Sequence, residues 1–528
     1  MKLETFFEKF DQFADAPDAV TKMRELVLEL AVQGKLSEQR AADAKEPAWQ
    51  KLTTQLEAES SASISDIEPP FEIPSWWRWT TLERLGDTKP RNDAPDSAKS
   101  SFVPMTLIPA EYGQSARHEE RPWGEIKKGY THFKTGDVVM AKITPCFENG
   151  KSAVMNGLTG GFGAGTTELH VFRRTGEGVL PEFVILYLKT RGFITRGIPR
   201  MTGSAGQKRV PSDYFARSPF PLPPLAEQKR IVAKVDELMA LCDRLEAQQQ
   251  ERETRHAALA RASLARFADA PTPANFPFLF HPSYPIPPAD LRKSILTLAV
   301  QGKLVSQDPN DEPAETILRA TCSLFERLVA AKKLSSPKPL PAIEEGEFPF
   351  SLPSGWAWCR LGQIMRISSG DGLIAKDMND GPIPVYGGNG VNGYHDAHNV
   401  AKRTLVIGRV GFYCGSIHVT PERAWVTDNA FITTFDEDHV DMDFLSWLLK
   451  ATYLRERDNA TAQPVISGGK VYPTILALPP LTEQRRIVAK VNELMALVDE
   501  LETQLAAARA TTVNLLEALV AELTAAKI

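Results

Sequence analysis

Apolar side chains recur in steps of four and three at 487, 491, 494, 498, 501, 505, 508, 512, 515 and 519, which hold Ile, Val, Leu, Val, Leu, Leu, Ala, Thr, Leu and Leu. This is one face of an α-helix sustained for over four heptads, the pattern of a coiled-coil seam. An earlier stretch starts alike with Ile231, Val235, Leu238, Cys242 and Leu245, then turns polar at Gln249, Arg252 and His256 before Leu259. Each stripe predicts a helix of about 40 residues, ~60 Å long at 1.5 Å per residue. One such helix cannot bury its stripe alone. Two alike predict a mutual coiled coil, the alternative being that each packs on its own domain. The polar turn in the first stripe is expected to fix the register or to open the far end.

The likeness extends beyond the stripes. PPLAEQKRIVAKVDELMAL (223–241) returns as PPLTEQRRIVAKVNELMAL (479–497), AVQGKL occurs at 31–36 and 299–304, and FEIPSWWRW (71–79) matches FPFSLPSGWAW (348–358). Every element appears twice in the same order, so the chain is a tandem duplication. The period is too long for a solenoid and implies two whole domains. The paired tryptophans Trp77/Trp79 and Trp356/Trp358 are read as packing at the start of each domain. Short helices are expected at 18–35, with Leu26, Leu30 and Ala31 on one face, and at about 290–303, with Asp290 as N-cap. Gly34 and Gly302 stand as their stops.

The segments so defined are an N-terminal helical segment (1–45), a linker (46–70), a first globular domain (71–224), a first long helix (225–268), a proline-rich linker (269–289), a short helix (290–305, repeating 22–36), a linker (306–347), a second globular domain (348–480) and a second long helix (481–528). Within the globular domains, 136–143 and 403–410 read as strands, and 181–190 and 442–452 as amphipathic helices. The fold class is α+β, with two mixed α/β domains separated by two long coiled-coil helices in a pseudo-twofold duplication.

Composition narrows the function. The 528 residues include 43% hydrophobic and 24% charged side chains, ordinary globular usage that excludes wholesale disorder. The longest clean apolar run, Phe183 to Leu188, is far short of the ~18 residues of a membrane span. Acids among the first apolar residues argue against a signal peptide. Five scattered cysteines without a C-x-x-C pair fit a reducing cytoplasm. The net charge of −5 hides an asymmetry: 71–224 carries 21 Lys/Arg against 15 Asp/Glu, 348–480 carries 11 against 13, and the remainder holds −9. Residues 187–210 hold six cations and no acid, which suits phosphate contact, although a charge run is also an ordinary solvated face.

Catalytic signatures are missing. No G-x-x-x-x-G-K-[ST] loop and no G-x-S-x-G elbow occur. The G-x-G-x-x-G at Gly388, Gly390 and Gly393 precedes no apolar helix, so a dinucleotide site is not expected. His395 and His398 lack a ligand cluster and read as surface-loop histidines. The Asn-Pro-Pro-aromatic signature of amino-methyltransferases is also absent.

These pieces resemble the specificity subunit of type I restriction–modification systems. The likeness rests on the duplicated PPLxEQ[KR]RIVAKV[DN]ELMAL starts, the paired LAVQGKL helices and the P-S-x-W-x-W segments. GDVVMAKITPCFENGK (136–151), FGAGTTELHVFR (162–173) and the block from Gly393-Tyr394-His395-Asp396 to Trp425–Asn429 also match. It covers essentially the whole chain. The resemblance implies a non-catalytic subunit of a restriction endonuclease and adenine-N6 DNA methyltransferase complex. Two target-recognition domains would each read one half of a bipartite, asymmetric DNA sequence. The two long helices would form an antiparallel coiled coil that sets the spacing of these domains and docks two modification subunits, with two motor-nuclease restriction subunits completing the complex. No cofactor is expected on this chain; S-adenosylmethionine, ATP and Mg would be bound by partner subunits.

Candidate DNA contacts in the first domain are Lys142, Thr144, Asn149, Lys151, Thr166, Thr167, Ser204, Gln207, Lys208 and Arg209. In the second they are Asn389, Asn392, Tyr394, Arg409, Tyr413, Ser416, Thr427, Asp428, Asn429, Ser467 and Lys470. Lys and Arg suit phosphate or guanine, and Asn and Gln can pair with adenine; each could equally be a turn former. The expected seam is Ile231, Val235, Leu238, Cys242, Leu245, Ile487, Val491, Leu494, Val498, Leu501 and Leu505, and no metal site is expected. Two other classes compete: a scaffold displaying two protein-binding modules, marked by DNA-independent partners, and a stand-alone enzyme, marked by activity without partners.

Overall fold

A computed structural model describes residues 7–58, 68–204, 206–281, 283–335, 338–452, 454 and 465–525. The chain divides into two compact units, Met1–Arg252 with Ala508–Ile528, and Glu253–Ala507.

In the first unit a short helix, Ala19–Val32, buries Met23, Leu26, Val27, Leu30 and Ala31. It ends where Gly34 takes φ +72° and the Lys35 N–H turns back to the Leu30 carbonyl at 3.0 Å, a glycine-dependent C-terminal cap. The globular domain carries two four-stranded sheets. One orders Gly86–Asp87, Leu169–Arg174, Val138–Ala141 and Ser152–Val154, antiparallel throughout. The other orders Glu119–Pro122, Lys99–Val103, Phe162–Gly165 and Thr131–Lys134, with its middle pair parallel. The domain's first and last strands, Arg78–Thr80 and Phe220–Leu222, pair and close it. Helix Pro181–Leu188 is not amphipathic as expected. It lies between the short helix and the strands Val138–Ala141 and Ser152–Val154, so nearly every side chain is buried.

The second unit repeats the scheme. Its short helix, Pro288–Val300, buries Leu291, Ile295, Leu298 and Ala299 and stops at Gly302, φ +68°. Asp290 is not its N-cap but lies in the first turn, because Pro288, with φ already fixed, starts the helix. A four-stranded antiparallel sheet orders Met365–Ser369, Ala430–Phe435, Leu405–Gly408 and Ile417–Val419. A three-stranded sheet orders Gly390–His395, Ile383–Gly387 and Trp425–Val426. Ala357–Arg360 and Ile475–Leu478 pair to close the domain. Helix Met442–Ala451 is capped by the Asp441 carboxylate, which accepts from the Phe444 N–H at 2.9 Å.

Two stretches read as linkers contain helices. Pro47–Ala58 lies within 46–70 and buries Trp49, Thr53 and Leu56; residues 59–67 of that stretch lie outside the described residues. Ala314–Ala330 lies within 306–347 and buries Ala314, Ile317, Thr321 and Phe325. In each, a proline stands at or just before the first helical residue and an apolar stripe covers the domain beside it.

The long helices are Leu225–Asp269 and Leu481–Ala525, 45 residues each. In the first unit Cys242 and Leu245 share a core with Val513, Leu516, Leu519 and Leu523. In the second, Ala260, Leu264 and Phe267 share one with Ile487, Val491, Leu494, Val498 and Leu501, and that core also holds the second domain's Trp356, Phe444 and Leu478. The earlier part of each helix thus meets the later part of the other, an antiparallel pairing. The expected seam is divided, however. Ile231, Val235 and Leu238 are buried in the first domain's own core with Trp77, Phe183 and Phe220, since that domain reaches the apolar stripe first. Leu505 is only half-buried. The polar turn does not open the first helix: Gln249 donates to the Ala14 carbonyl at 3.0 Å and Arg252 pairs with Asp15, tying down the N-terminal segment.

Candidate nucleic-acid interface

The first domain's candidates fall into two groups. Strand Val138–Ala141 runs into Lys142, whose N–H donates to the Glu168 carbonyl at 3.0 Å and whose carbonyl accepts from the Val210 N–H at 2.8 Å. Ile143 bridges Arg209, Arg209 bridges Thr202, and the Thr144 N–H donates to the Lys208 carbonyl at 2.9 Å. This backbone lattice brings Lys142, Thr144, Lys208 and Arg209 together, with Thr166 and Thr167 on the turn before Glu168. Ser204, Gln207 and Lys208 are exposed on the loop that returns to Arg209.

Several candidates have structural tasks. The Arg209 guanidinium grips both Glu168 carboxylate oxygens at 2.9 Å, and that pairing holds the carboxyl below its usual range. Its fork is therefore already engaged, contrary to the role of guanine reader. The Thr166 hydroxyl accepts from the Glu168 N–H at 3.2 Å as a turn former. Lys151 donates to the Met105 carbonyl at 3.1 Å. Asn149 lines a separate cavity of about 620 Å³ beside Arg24, Tyr112 and Lys189.

The structure adds residues that the sequence reading missed. Lys142 and Thr167 line a concavity of about 360 Å³ together with Lys89, Arg91, Tyr130 and His170. Among the described residues Lys89, Arg91 and Lys142 form no ion pair, so the hollow is cationic and suits a phosphate. His170 stacks on Phe215 with centroids 5.1 Å apart and donates to the Val210 carbonyl at 3.0 Å. Burial, reinforced by Lys142 and Lys89, pushes its pKa down to about 4, so the ring is neutral at pH 7. The only sequence signal was the cationic Lys89-Pro90-Arg91 triplet, some fifty residues from Lys142.

In the second domain four loops converge. The Arg409 N–H donates to the Asn429 carbonyl at 2.9 Å, the Ile466 N–H to the Arg409 carbonyl at 3.0 Å, and the Ser416 hydroxyl to the Gly388 carbonyl at 2.5 Å. Arg409, Tyr413, Ser416, Asp428, Asn429, Ser467, Lys470 and Asn389 thereby share one region, with Asn389, Tyr413, Asp428, Asn429, Ser467 and Lys470 exposed. Thr427 is buried, its N–H tied to the Tyr386 carbonyl at 2.8 Å, so it is no surface reader. Asn392 and Tyr394 are exposed farther along strand Gly390–His395. The G-x-G-x-x-G lies in this β-hairpin, with Gly390 at φ +90°, not between a strand and a helix. His395, expected on the surface, is buried edge-on to Trp425 and accepts from the Asn379 N–H at 3.0 Å.

Among the described residues no cluster of His, Cys, Asp and Glu could hold a metal ion, and no helix is long and apolar enough to cross a membrane.

Residues 126–253 and 353–508 match the family described as type I restriction modification DNA specificity domain. The chain is 35% identical to the type I restriction enzyme EcoAI specificity subunit of Escherichia coli, over 95% of this chain and 93% of that protein. It is 34% identical to the EcoEI specificity subunit of the same organism, with the same coverage. A solved chain from a study of complex assembly and conformational transition of the type I R-M system superposes with a TM-score of 0.50 at 19% identity, covering 86% of this chain and 99% of that one; this likeness concerns the fold. With two matched domains on a duplicated helical frame, the chain belongs to the type I restriction–modification DNA specificity subunit family.

Proposed function

We propose that the chain is the non-catalytic sequence-recognition subunit of a type I restriction–modification complex, each globular domain reading one half of a split, asymmetric DNA target. The observation that carries this is a duplicated helical frame bearing two domains whose loops differ. Cationic and amide-bearing loops gather around Lys142 in one and around Arg409 in the other. Different loops on one frame would read different half-sites.

The long helices, about 68 Å each at 1.5 Å per residue, would set the half-site spacing, since DNA brings the same groove face round about every 34 Å. The acidic frame would dock two modification subunits, and two restriction subunits would complete the nuclease. In this reading S-adenosylmethionine, ATP and Mg belong to those partners, methylation falls on adenine N6, and the assembly works in the cytoplasm.

The test is methylation mapping of the native genome with and without this gene. Loss of one split, asymmetric methylated motif on deletion is the expected result. An unchanged pattern, in cells where the complex is produced, would overturn the proposal and favour a protein-binding scaffold, which a pull-down would then identify.

A further inference from the structure

The two globular domains present different surfaces. Residues 71–224 carry a net charge of +6, and residues 348–480 a net charge of −2. Among the described residues, large apolar side chains divide the opposite way. Ile198 is exposed in the first domain, whereas Phe348, Ile374, Val391, Tyr394, Phe412, Tyr413 and Val465 are exposed in the second.

Two of these stand on a built feature. Phe412 and Tyr413, 68% and 49% exposed, pack edge to face with ring centroids 5.1 Å apart. Their turn is bounded by Gly411 and Gly415, both at φ +82°. It is closed by Cys414 N–H to Gly411 carbonyl (3.0 Å), Gly415 N–H to Gly408 carbonyl (2.7 Å) and Ser416 N–H to Tyr413 carbonyl (3.1 Å). Cys414 points into the core while the two rings are held outward. Val410 at the base bridges to exposed Val465. The cations beside it are engaged locally: Arg409 donates to the Ser369 hydroxyl at 3.1 Å and the Asp428 carbonyl at 3.3 Å, and Lys470 to the Val465 carbonyl at 3.0 Å.

We infer that the two domains grip DNA by different physical means: the first through the cations around Lys89, Arg91 and Lys142, the second through an apolar contact made by Phe412 and Tyr413 on the base edges of its half-site. The inference rests on the DNA-recognition reading above. A rigid turn that keeps two rings largely exposed presents apolar surface for contact. The loops sharing that turn carry Asn389 and Asn429, whose amides are suited to base edges. Duplex DNA offers apolar partners in thymine methyl groups and in base steps that accept a wedge. Contacts of this kind release few counter-ions, whereas each cation–phosphate contact steepens the dependence of log K on log salt by about 0.9.

The test uses the complex of the full chain with its modification subunits. The probe is a duplex bearing the motif whose methylation depends on this chain, and binding is followed across a salt series. Phe412→Ala with Tyr413→Ala should weaken binding about tenfold or more with an unchanged salt slope. Phe412→Leu alone should retain most of the affinity. Lys89→Ala with Arg91→Ala should lower the slope by about two. Wild-type affinity in the double aromatic variant, or a fall in its slope, would overturn the inference. Loss of subunit assembly instead of DNA affinity would make the patch a protein contact and overturn it as well. Failure of the wild-type complex to prefer the motif over a scrambled duplex would overturn the recognition reading and this inference with it.

Discussion

The indole N–H of Trp77 donates to the Glu227 carboxylate at 3.0 Å, in a position where both side chains are buried. The same carboxylate accepts from the Gln39 amide at 2.7 Å and the Ser37 hydroxyl at 3.0 Å. The second half repeats the arrangement: Trp356 donates to Glu483 at 2.9 Å, and Gln307 to the same carboxylate at 3.1 Å. The glutamate of each PPLxEQ motif thus joins the start of a long helix, the start of a recognition domain and the segment after the short helix. The neighbouring glutamine extends the junction. Gln228 accepts from the Leu180 N–H and Gln484 from the Asp441 N–H, both at 2.8 Å.

Removing that carboxylate should loosen the junction. Glu227→Ala would leave the Trp77, Ser37 and Gln39 donors without this acceptor, and Glu483→Ala would do the same to Trp356, while Gln307 keeps the Gly302 and Val305 carbonyls. An expected cost of about 2–4 kcal/mol each follows from orphaning buried donors. Urea denaturation checks it, and a loss below about 0.5 kcal/mol, the range of ordinary surface substitutions, would remove the junction role.

Gly302 is expected to resist substitution. At φ +68°, Ala pays the left-handed penalty, and its Cβ would strike Pro353 and crowd Trp356. Gly302→Ala should cost about 2–4 kcal/mol, with Gly34→Ala, facing Pro74 and Trp77, of similar size. Thermal unfolding measures both. A neutral Gly302→Ala would mean that the short helix can end elsewhere.

The duplication, the long helices, the glycine stops and the tryptophan pairs were all legible in the sequence, because each is a local pattern occurring twice. The helix Pro47–Ala58 was not, because three buried side chains give too thin a stripe among polar neighbours; Ala314–Ala330 carries a full stripe at Ile317, Thr321, Phe325 and Leu328 and was obscured by the prolines around it. The division of the seam was hidden for a different reason. Ile231 and Cys242 lie on one continuous apolar face, and periodicity is the same whether a domain core or a helix covers it. The DNA-facing surface was the least legible. Lys89 meets Lys142 through sheet pairing between distant segments, and nothing local distinguishes buried Thr427 from exposed Asp428.

Lys189 gives a pH signature. Its amine donates to the Ala110 carbonyl at 2.6 Å and the Gly150 carbonyl at 3.0 Å, and burial pushes its pKa down to about 7. The unfolded chain, with an ordinary lysine near 10.4, binds more protons between these values, so stability should rise with pH from about 7 to about 10. Below about 7 both states are protonated and this contribution is lost. The slope can reach about 1.4 kcal/mol per pH unit. Urea midpoints for wild type and Lys189→Met across this window should diverge as pH rises; parallel curves would place the amine in an ordinary environment.

Adjacent cations Lys208 and Arg209 should separate by mechanism. Lys208 is exposed on the loop beside the cationic hollow, while Arg209 spends its fork on Glu168 and its backbone on Thr202. Lys208→Ala should therefore leave stability unchanged and lower the salt slope of DNA binding by about one. Arg209→Ala should instead release the Glu168 carboxylate and loosen the loop. Its DNA defect should be largely relieved by adding Glu168→Gln, because the uncompensated charge beside the hollow is then removed. A double-mutant cycle on the assembled complex reads this coupling. Additive losses from the two substitutions would mean that Arg209 contacts DNA itself and that its pairing with Glu168 is broken on binding.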